Sequence, residues 1–293
     1  MAGEFDFIDW LRKQQKVTEL VRVPAGDDMA VLQWPNDDLL LVGVDQVLDG
    51  RHFDSKVHSP RAIGRKVMNR NLSDCAAMAC LPAAAVATVA LPSGATMEYA
   101  KELYLGLREA ADPFYCAIVG GDTASWSGPL VLTVTVMGRA AGIRPITRSG
   151  ARAGDGIYVT GPLGGSILGR HMTFAPRIHE ARQLASFRPL NTQGVSSMID
   201  ISDGLSRDLR HLTANAEIDS KLIPIHGDAE ELSRKDGVSS IEHALHDGED
   251  HELLFTSALR PPLGIRVGTV TDSGGILLDG KPLPAKGWEH PLA

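Results

Sequence analysis

The feature that most constrains this chain is a set of aspartates placed beside short apolar segments. The stretch Ile118-Val119-Gly120-Gly121-Asp122-Thr123 is an apolar run that ends in two glycines and a carboxylate. We interpret it as the end of a buried strand, where the glycine pair lets the backbone turn or approach a ligand closely and Asp122 stands at the rim. Similar placements of an acid recur along the chain at Asp28, Asp45, Asp74, Asp200 and Asp203.

Carboxylates in this number predict a site for hard divalent cations and phosphate. Mg²⁺ takes oxygen ligands and typically combines one or two protein carboxylates with substrate phosphates. Without a cation, acids gathered at one site would repel one another. We therefore predict that these acids converge on magnesium and a nucleotide. Taken singly, each acid has a simpler explanation, since Asp203 could cap the following helix and the others could be turn or surface residues.

The size and charge of the chain exclude several classes of protein. Two domains are the default expectation for its 293 residues. A net charge of −7 argues against nucleic acid as a partner. No stretch approaches the roughly 18 apolar residues of a membrane span, and the N-terminus lacks the pattern of a secretory signal. Three cysteines without Cys-x-x-Cys spacing indicate neither a zinc site nor a disulfide framework, so we expect a cytoplasmic protein.

The hydrophobic pattern predicts interspersed strands and helices. Helices are expected at 4–17, 60–78 and 205–212, and another should begin at Met97 with Thr96 as its cap. The strands are expected near 30–32, 39–42 (followed directly by Asp45), 84–91, 118–123, 130–137, 157–160, 197–202, 253–256, 265–270 and 276–278. The Gly-, Pro- and Arg-rich segment 142–154 is the best linker candidate. We therefore predict two α+β domains that cover residues 1–141 and 142–293.

Common catalytic and phosphate-binding motifs are absent from the sequence. The run from Gly275 to Lys281 resembles a Walker A motif, but Pro282 replaces the required Ser or Thr, and Asp279-Gly280 is more typical of a hairpin turn. The glycine-rich turns at 120–121 and 161–165, together with Arg148, remain candidate phosphate contacts. On pattern alone, Tyr104 belongs to an apolar helical face and is predicted to be a core residue, and His52 is an ordinary loop residue.

Eight motifs, taken together and in order, resemble those of the thiamine-monophosphate kinase family. This family shares a superfamily with aminoimidazole ribonucleotide synthetase and selenophosphate synthetase. The resemblance implies a two-domain α+β synthetase-like fold, with an N-terminal sheet that pairs in a homodimer and a C-terminal α+β domain. The motifs are GDDMAVL (26–32), DGRHF (49–53), NLSDCAAM (71–78), IVGGDT (118–123), TRSGARAGD (147–155), IDISDGLSRDL (199–209), DGEDHELLF (247–255) and GWEH (287–290).

The resemblance also implies roles for particular residues. ATP and several Mg²⁺ ions would bind between the domains, with metal ligands at Asp28, Asp45, Asp74, Asp122, Asp200 and Asp203. Nucleotide contacts are implied at Tyr104, Gly121, Asp122, Arg148 and Ser202, and contacts to thiamine monophosphate at His52, Glu249 and Trp288. Of these, Asp122 and Asp203 are the candidate catalytic residues.

The implied reaction moves the γ-phosphoryl group of ATP directly onto thiamine monophosphate and gives thiamine diphosphate. The acceptor is a phosphate oxygen that is already ionised near neutral pH, so no protein base is required. The remaining task is to bring two anionic phosphates together in line, which metal ions do by neutralising and positioning them. A site rich in Asp, without a catalytic triad, agrees with this mechanism.

The chain departs from the family pattern at three places that concern metal and substrate. Gly43-Val44 replaces the common Ser-Thr before Asp45, Asp247 and His251 replace the first Gly and the Tyr of a Gly-Gly-Glu-Asp-Tyr motif, and Arg51 replaces a Val. Two other functions therefore remain open. One is a related ATP-dependent enzyme with a different small phosphorylated acceptor, and the other is a non-catalytic protein that binds thiamine phosphate or a nucleotide.

Overall fold

Two β-sheets form the framework of the computed structural model, which describes residues 21–24, 27–34, 38–188 and 194–289. The helix expected at 4–17, Gly26 and the turn at 35–37 lie outside the described residues. Six strands precede the segment 140–155 and make the first sheet, and seven strands follow it and make the second. The expected interspersion of strands with helices is confirmed in both halves.

The first sheet has the strand order β1-β2-β3-β6-β4-β5. Neighbouring strands are antiparallel, except that β4 and β5 run parallel. The strands are β1 (Val21–Val23), β2 (Ala30–Gln33), β3 (Leu39–Leu48), β4 (Leu81–Pro92), β5 (Ala117–Trp126) and β6 (Val131–Arg139).

Two helices, α1 (Pro60–Ala77) and α2 (Met97–Ala111), pack against each other beside this sheet. Both begin at a side-chain cap: Ser59 accepts a hydrogen bond from the Ala62 amide, and Thr96 accepts one from the Tyr99 amide. Where the helices cross, a Cβ atom on Gly64 would lie 2.1 Å from the Leu103 carbonyl oxygen. The two backbones can approach this closely only because glycine has no side chain.

The sheet is covered on one face and open on the other. Along β6, Leu132, Val134 and Val136 are buried, whereas Thr133 and Thr135 between them are partly exposed. Such alternation follows from the two-residue period of a strand. The buried residues belong to the same hydrophobic core as residues of α1 and α2, so these helices lie on the covered face. We call the opposite side of the sheet the open face.

The second sheet has the strand order β13-β12-β9-β11-β7-β10-β8, and its strands are antiparallel except for the β12–β9 pair. Its strands are β7 (Gly156–Val159), β8 (Val195–Asp200), β9 (Ala216–Ile218), β10 (Leu253–Ser257), β11 (Ile265–Val270), β12 (Ile276–Leu278) and β13 (Lys281–Pro282). The helices of this half are α3 (Ile178–Ser186), α4 (Leu205–Leu212), α5 (Gly227–Asp236) and α6 (Ser240–His246). The sequence pattern assigned no element to the region of α3.

The two halves share a hydrophobic core. One cluster of buried side chains includes Val134 of the first sheet and Met198 of the second, and a separate cluster belongs to the second half alone. The boundary expected at residue 141 falls between β6 and β7. None of the described helices combines the length and the apolar character needed to cross a membrane.

Several local predictions are wrong in an instructive way. Asp122 lies inside β5 and not at a strand end, and Gly120-Gly121 continues the strand instead of turning it. The strand is also exposed along most of its length, since it forms an edge of the sheet. Asp45 lies within β3, which continues to Leu48. Tyr104 is 47% exposed and is not a core residue.

Other local predictions are confirmed. The helix predicted over 60–78 is α1 and carries Asp74, and Thr96 caps α2 as expected. Asp279 and Gly280 both have positive φ, at 51° and 76°, and connect β12 to β13 as a hairpin turn. The strand predicted at 197–202 is present as β8, but it begins and ends two residues earlier, at Val195–Asp200.

Replacement of Gly64 by alanine should test the close approach of α1 and α2. The added methyl group would meet the Leu103 backbone, so we expect Gly64→Ala to lower the free energy of unfolding by about 2 kcal/mol or more. Gly227 is a matched control, because a Cβ there meets no atom within 4 Å. Urea denaturation should show Gly227→Ala to be neutral or slightly stabilising, and equal effects at both positions would contradict this account.

Candidate metal centre

Three carboxylates from three different elements meet at the junction of the two halves. Asp28 precedes β2, Asp74 lies in the last turns of α1, and Asp200 ends β8. Each offers an oxygen atom, and these oxygens all lie within 4.8 Å of one another. We call Asp28, Asp74 and Asp200 the carboxylate triad. The sequence separates its members widely, and the fold brings them together.

Burial and mutual repulsion alter the acidity of the triad. Burial raises the pKa of Asp28 to about 7, although Arg148 opposes the shift. Burial, followed by repulsion from Asp45, Asp200 and Asp28, raises the pKa of Asp74 well above its ordinary value. Both shifts therefore reflect mainly the cost of placing a carboxylate away from water, with a further contribution from neighbouring negative charges.

Asp200 differs from the other two acids because its neighbours favour the charged form. Burial acts to raise its pKa, but hydrogen bonds from His251 and Ser73 reverse this effect, and the pKa of Asp200 is lowered. The Ser73 hydroxyl lies 2.5 Å and His251 Nδ1 lies 3.2 Å from Asp200 Oδ2. His251 is itself held by stacking on Phe174, with ring centroids 3.9 Å apart. Asp200 is therefore fixed in position as an ionised ligand.

Arg148 provides a cation beside the triad. Its Nε and Nη2 atoms lie 3.0 and 2.8 Å from the two oxygens of Asp28, and its backbone amide donates to Asp27. This two-point contact orients the Asp28 carboxylate and compensates one of the three negative charges. Arg148 was expected to contact a nucleotide, and the structure places it at the metal candidates themselves.

Asp45 belongs to a second polar network, which lies beside the triad. Arg70 of α1 joins Asp45 to Glu249, because its Nε and Nη1 atoms each lie 2.8 Å from an oxygen of these acids. The fully buried Lys66 approaches Glu249 Oε2 at 2.7 Å and His171 Nδ1 at 2.8 Å. Burial lowers the pKa of Lys66 to about 8, although the Glu249 carboxylate opposes the shift.

The loop that carries Glu249 is strained and firmly anchored. Glu249 and His251 both have φ near +50°, a conformation that non-glycine residues rarely adopt. The Glu249 amide donates to the Ser202 carbonyl at 2.7 Å, and the His251 amide donates to the Ile201 carbonyl at 2.8 Å. Such strain persists only where surrounding contacts enforce it, and it is typical of functional sites. Here it directs both side chains toward the candidate metal centre.

Asp122 is not part of the triad. The register pairs Asp122 with Thr88 and Thr88 with Thr133, so Asp122 shares the open face with these residues. Asp45 pairs with the buried Val134 and lies on the covered face. Three strand spacings separate β3 from β5, which amounts to about 14 Å. Asp122 therefore lies far from Asp45 and on the other face of the sheet, and it is not among the carboxylates whose oxygens lie within 4.8 Å of one another.

A groove of about 470 Å³ runs between α2 and β5. Tyr104, Gly121 and Asp122 border it, and its floor is apolar, with Leu103 and Leu107 contributed by α2. Gly121 permits the narrow spacing of β4 and β5, since a Cβ there would lie 1.8 Å from the Ala87 carbonyl oxygen. The groove therefore gathers three of the residues for which a nucleotide role was expected.

Three further candidates lie elsewhere: Asp203 and Trp288 belong to the second half, and His52 belongs to the turn after β3. Asp203 follows β8 and precedes α4, where its amide donates to the buried Asp208 carboxylate. Gly204 and not Asp203 is the N-terminal cap of α4. The Trp288 amide donates to the Asp203 carbonyl, which brings the C-terminal tail close to this acid. His52 lies in the turn after β3, and its Nδ1 accepts a hydrogen bond from the Leu48 amide.

Sequence reasoning missed Lys66, Arg70, Ser73 and His171. A signal for two of them was present, because Lys66 and Arg70 precede Asp74 at four-residue spacing and so share one face of α1 with it. Charged residues at this spacing, on a helix with an otherwise buried apolar pattern, indicate a buried polar network. His171 lies in an irregular segment and offered no comparable pattern.

Comparisons with known proteins bear on the whole chain. Residues 26–140 match the family model described as AIR synthase related protein, N-terminal domain. A thiamine-monophosphate kinase of Rhodopirellula baltica is 41% identical over 266 residues, with 87% of this chain and 82% of the relative covered. A thiamine-monophosphate kinase of Aquifex aeolicus is 30% identical over 316 residues, with 98% of each chain covered.

A solved structure described as AaThiL complexed with AMPPCP and TMP has the same fold. Its TM-score is 0.85 at 29% sequence identity, and the match covers 98% of this chain and 97% of that one. The two-sheet α+β architecture expected from the motifs is thereby confirmed. Sequence and fold agree over nearly the full length, and the chain belongs to the thiamine-monophosphate kinase family.

Proposed function

We propose that this protein is an ATP-dependent kinase that phosphorylates thiamine monophosphate to thiamine diphosphate. The observation that carries the proposal is the carboxylate triad at the junction of the two halves, in a chain of this family. The similar structure described as complexed with AMPPCP and TMP supports ATP and thiamine monophosphate as the two substrates, because AMPPCP is an analogue of ATP.

The triad fits Mg²⁺ in its donor chemistry and nearly in its spacing. Mg²⁺ is bound by oxygen at about 2.1 Å, so ligands on opposite sides of the ion lie roughly 4 Å apart. The triad oxygens lie within 4.8 Å of one another, which requires only a small adjustment. The pKa values of Asp28 and Asp74, which are raised first by burial and further by neighbouring carboxylates, agree with this fit, because a bound cation would favour the charged form of both acids.

When bound, Mg²⁺ would neutralise phosphate oxygens and hold the two phosphates in line. The residues of the chain contribute positioning and charge. Ser73 and His251 hold Asp200 in its ionised form, and Arg148 orients Asp28. Glu249, fixed by Lys66 and Arg70, faces the acceptor side of the site in this proposal. No residue is required to remove a proton from the acceptor phosphate.

Nucleotide binding is proposed along β5. The apolar floor of the groove can accept a nucleobase, Tyr104 lies at its border, and the bare backbone of Gly121 allows close contact. Asp122 then meets a metal ion carried by the triphosphate. Ser202 and Asp203 lie beside the triad, after β8, and complete the phosphate-binding side of the site.

We propose further that the enzyme is a homodimer formed through the open faces of the first sheets. The open face is partly apolar, and Val44 on it is 61% exposed. Within one subunit, Asp122 lies on the open face and is not part of the triad. A two-fold axis across the open faces could bring Asp122 of one subunit to the triad of the other. We also propose that the boundary between the two domains lies at residue 141 and that the protein is cytoplasmic.

Turnover is the direct test of the function. We expect purified protein with ATP, Mg²⁺ and thiamine monophosphate to form thiamine diphosphate and ADP in equal amounts, as measured by chromatography. Thiamine in place of the monophosphate should give no diphosphate. Binding of both substrates without ADP formation would favour a non-catalytic binding protein, and ADP formation with another phosphorylated acceptor only would favour a different substrate.

The shared site can be tested with two inactive variants. Asp122→Asn and Asp74→Asn should each reduce turnover at least about 100-fold while the fold is retained, since each removes a metal ligand. If the site is shared, unfolding and refolding the two variants together should restore about one quarter of wild-type activity, because about half of the dimers are mixed and each has one intact site. Restoration of no activity would contradict a shared site, and full activity of Asp122→Asn alone would remove Asp122 from the metal ligands.

Metal affinity and stability should depend on pH in opposite directions. Because the pKa of folded Asp28 is raised to about 7, the metal-free folded state binds more protons than the unfolded state below that pH. As the pH rises from about 5 to about 7, the thermal stability of the metal-free protein should therefore fall, while Mg²⁺ binding should tighten. Calorimetry on the wild type and on Asp28→Asn isolates this contribution. An identical pH dependence in both would contradict the assignment.

A further inference from the structure

Asp45 is bound by a cation of the protein itself, as Asp28 is by Arg148, but the cation at Asp45 also binds a second carboxylate. Arg70 lies 2.8 Å from Asp45 through Nε and 2.8 Å from Glu249 through Nη1, and its side chain is only 14% exposed. The guanidinium thus bridges a carboxylate of β3 and a carboxylate of the strained loop. A divalent cation held between two acids would occupy the same kind of position.

Charge is balanced around Arg70 and unbalanced at the triad. Asp45 and Glu249 face two cations, Arg70 and the buried Lys66. His171 also contacts Glu249, so this network carries no surplus of negative charge. The triad has three carboxylates against Arg148, and even a protonated His251 would leave one negative charge uncompensated. The demand for a metal ion therefore lies at the triad and not at Asp45.

The residues before Asp45 supply an independent argument. Gly43 has no side chain, and Val44 is apolar and points to the open face, away from Asp45. Gly43 and Val44 therefore add no side-chain oxygen to the Asp45 carboxylate for a divalent ion. Magnesium requires a nearly octahedral set of oxygen ligands. The Asp45 carboxylate, which is already paired with Arg70, supplies too little of that set to bind the ion.

We propose that Arg70 is a built-in cation that takes the place of a divalent ion at Asp45. The metal ions of this chain are then held by the triad and by substrate phosphates, without Asp45. Arg70 is a positioning residue, since it fixes the Glu249 carboxylate through Nη1. The role of Glu249 toward the acceptor phosphate rests on the proposed function, whereas the prediction about metal ions does not.

The test compares the same substitution at two acids of one site. Full-length Asp45→Asn and Asp74→Asn are titrated with Mn²⁺ alone, and free Mn²⁺ is followed by electron paramagnetic resonance. We expect Asp74→Asn to lose a bound ion that the wild type holds. Asp45→Asn should keep the wild-type number, with affinity changed less than about threefold. Loss of one ion in a folded Asp45→Asn variant would overturn the proposal.

A second variant covers the case in which Asp45→Asn fails to fold. Arg70→Met removes the cation but keeps most of the volume, so Asp45 and Glu249 should bind one more Mn²⁺ ion than the wild type. Arg65→Met is the matched control, because Arg65 lies on the same helix but pairs with the exposed Glu109. It should leave the number of ions unchanged. A wild-type number in Arg70→Met would overturn the proposal.

These outcomes separate the proposal from the proposed function. The expected Mn²⁺ pattern in a protein that forms no thiamine diphosphate would reject the kinase and retain the role of Arg70. Normal turnover of the wild type together with loss of an ion in Asp45→Asn would retain the kinase function and reject the role proposed for Arg70.

Discussion

Placing Asp28, Asp74 and Asp200 side by side, largely away from water, is electrostatically unfavourable, and its surroundings are organised to tolerate it. Burial, with a further contribution from neighbouring carboxylates, raises the pKa values of Asp28 and Asp74. Arg148 compensates part of the charge through a two-point contact, and the Ser73 hydroxyl and His251 stabilise the ionised form of Asp200. The negative charge that these groups do not compensate can attract a divalent cation.

Helix α1 connects the fold to this electrostatic arrangement. Its polar residues contact both halves of the protein, since Arg70 binds Asp45 of β3 as well as Glu249, and Ser73 donates a hydrogen bond to Asp200. A helix can position such contacts only if it is itself held firmly, and the crossing at Gly64 provides this on the opposite side. The close crossing with α2 therefore holds α1 in the position that its polar contacts require.

The sequence predicted the elements better than their boundaries and the triad better than its surroundings. The helix of Asp74 and the hairpin at Asp279 follow from local periodicity and turn chemistry, which one segment contains in full. The exposure of β5 and the position of Asp122 on the open face could not be predicted, because they depend on which strand ends at the edge of the sheet. The pairing of Arg70 with Asp45 and Glu249 was equally hidden, since it joins residues distant in sequence.

The distinction between cations within the protein and cations from solution has a consequence for how the site is prepared. Arg70 and Lys66 hold Glu249 without any ion from solution, because both cations are part of the chain. Under the proposed function, the side of the site that receives the acceptor phosphate is therefore preorganised before any metal ion arrives. The triad, by contrast, stays internally repulsive until a divalent cation binds, so its geometry is completed together with the phosphates. Fixed charge on one side and exchangeable charge on the other would direct metal ions to the phosphoryl group that moves.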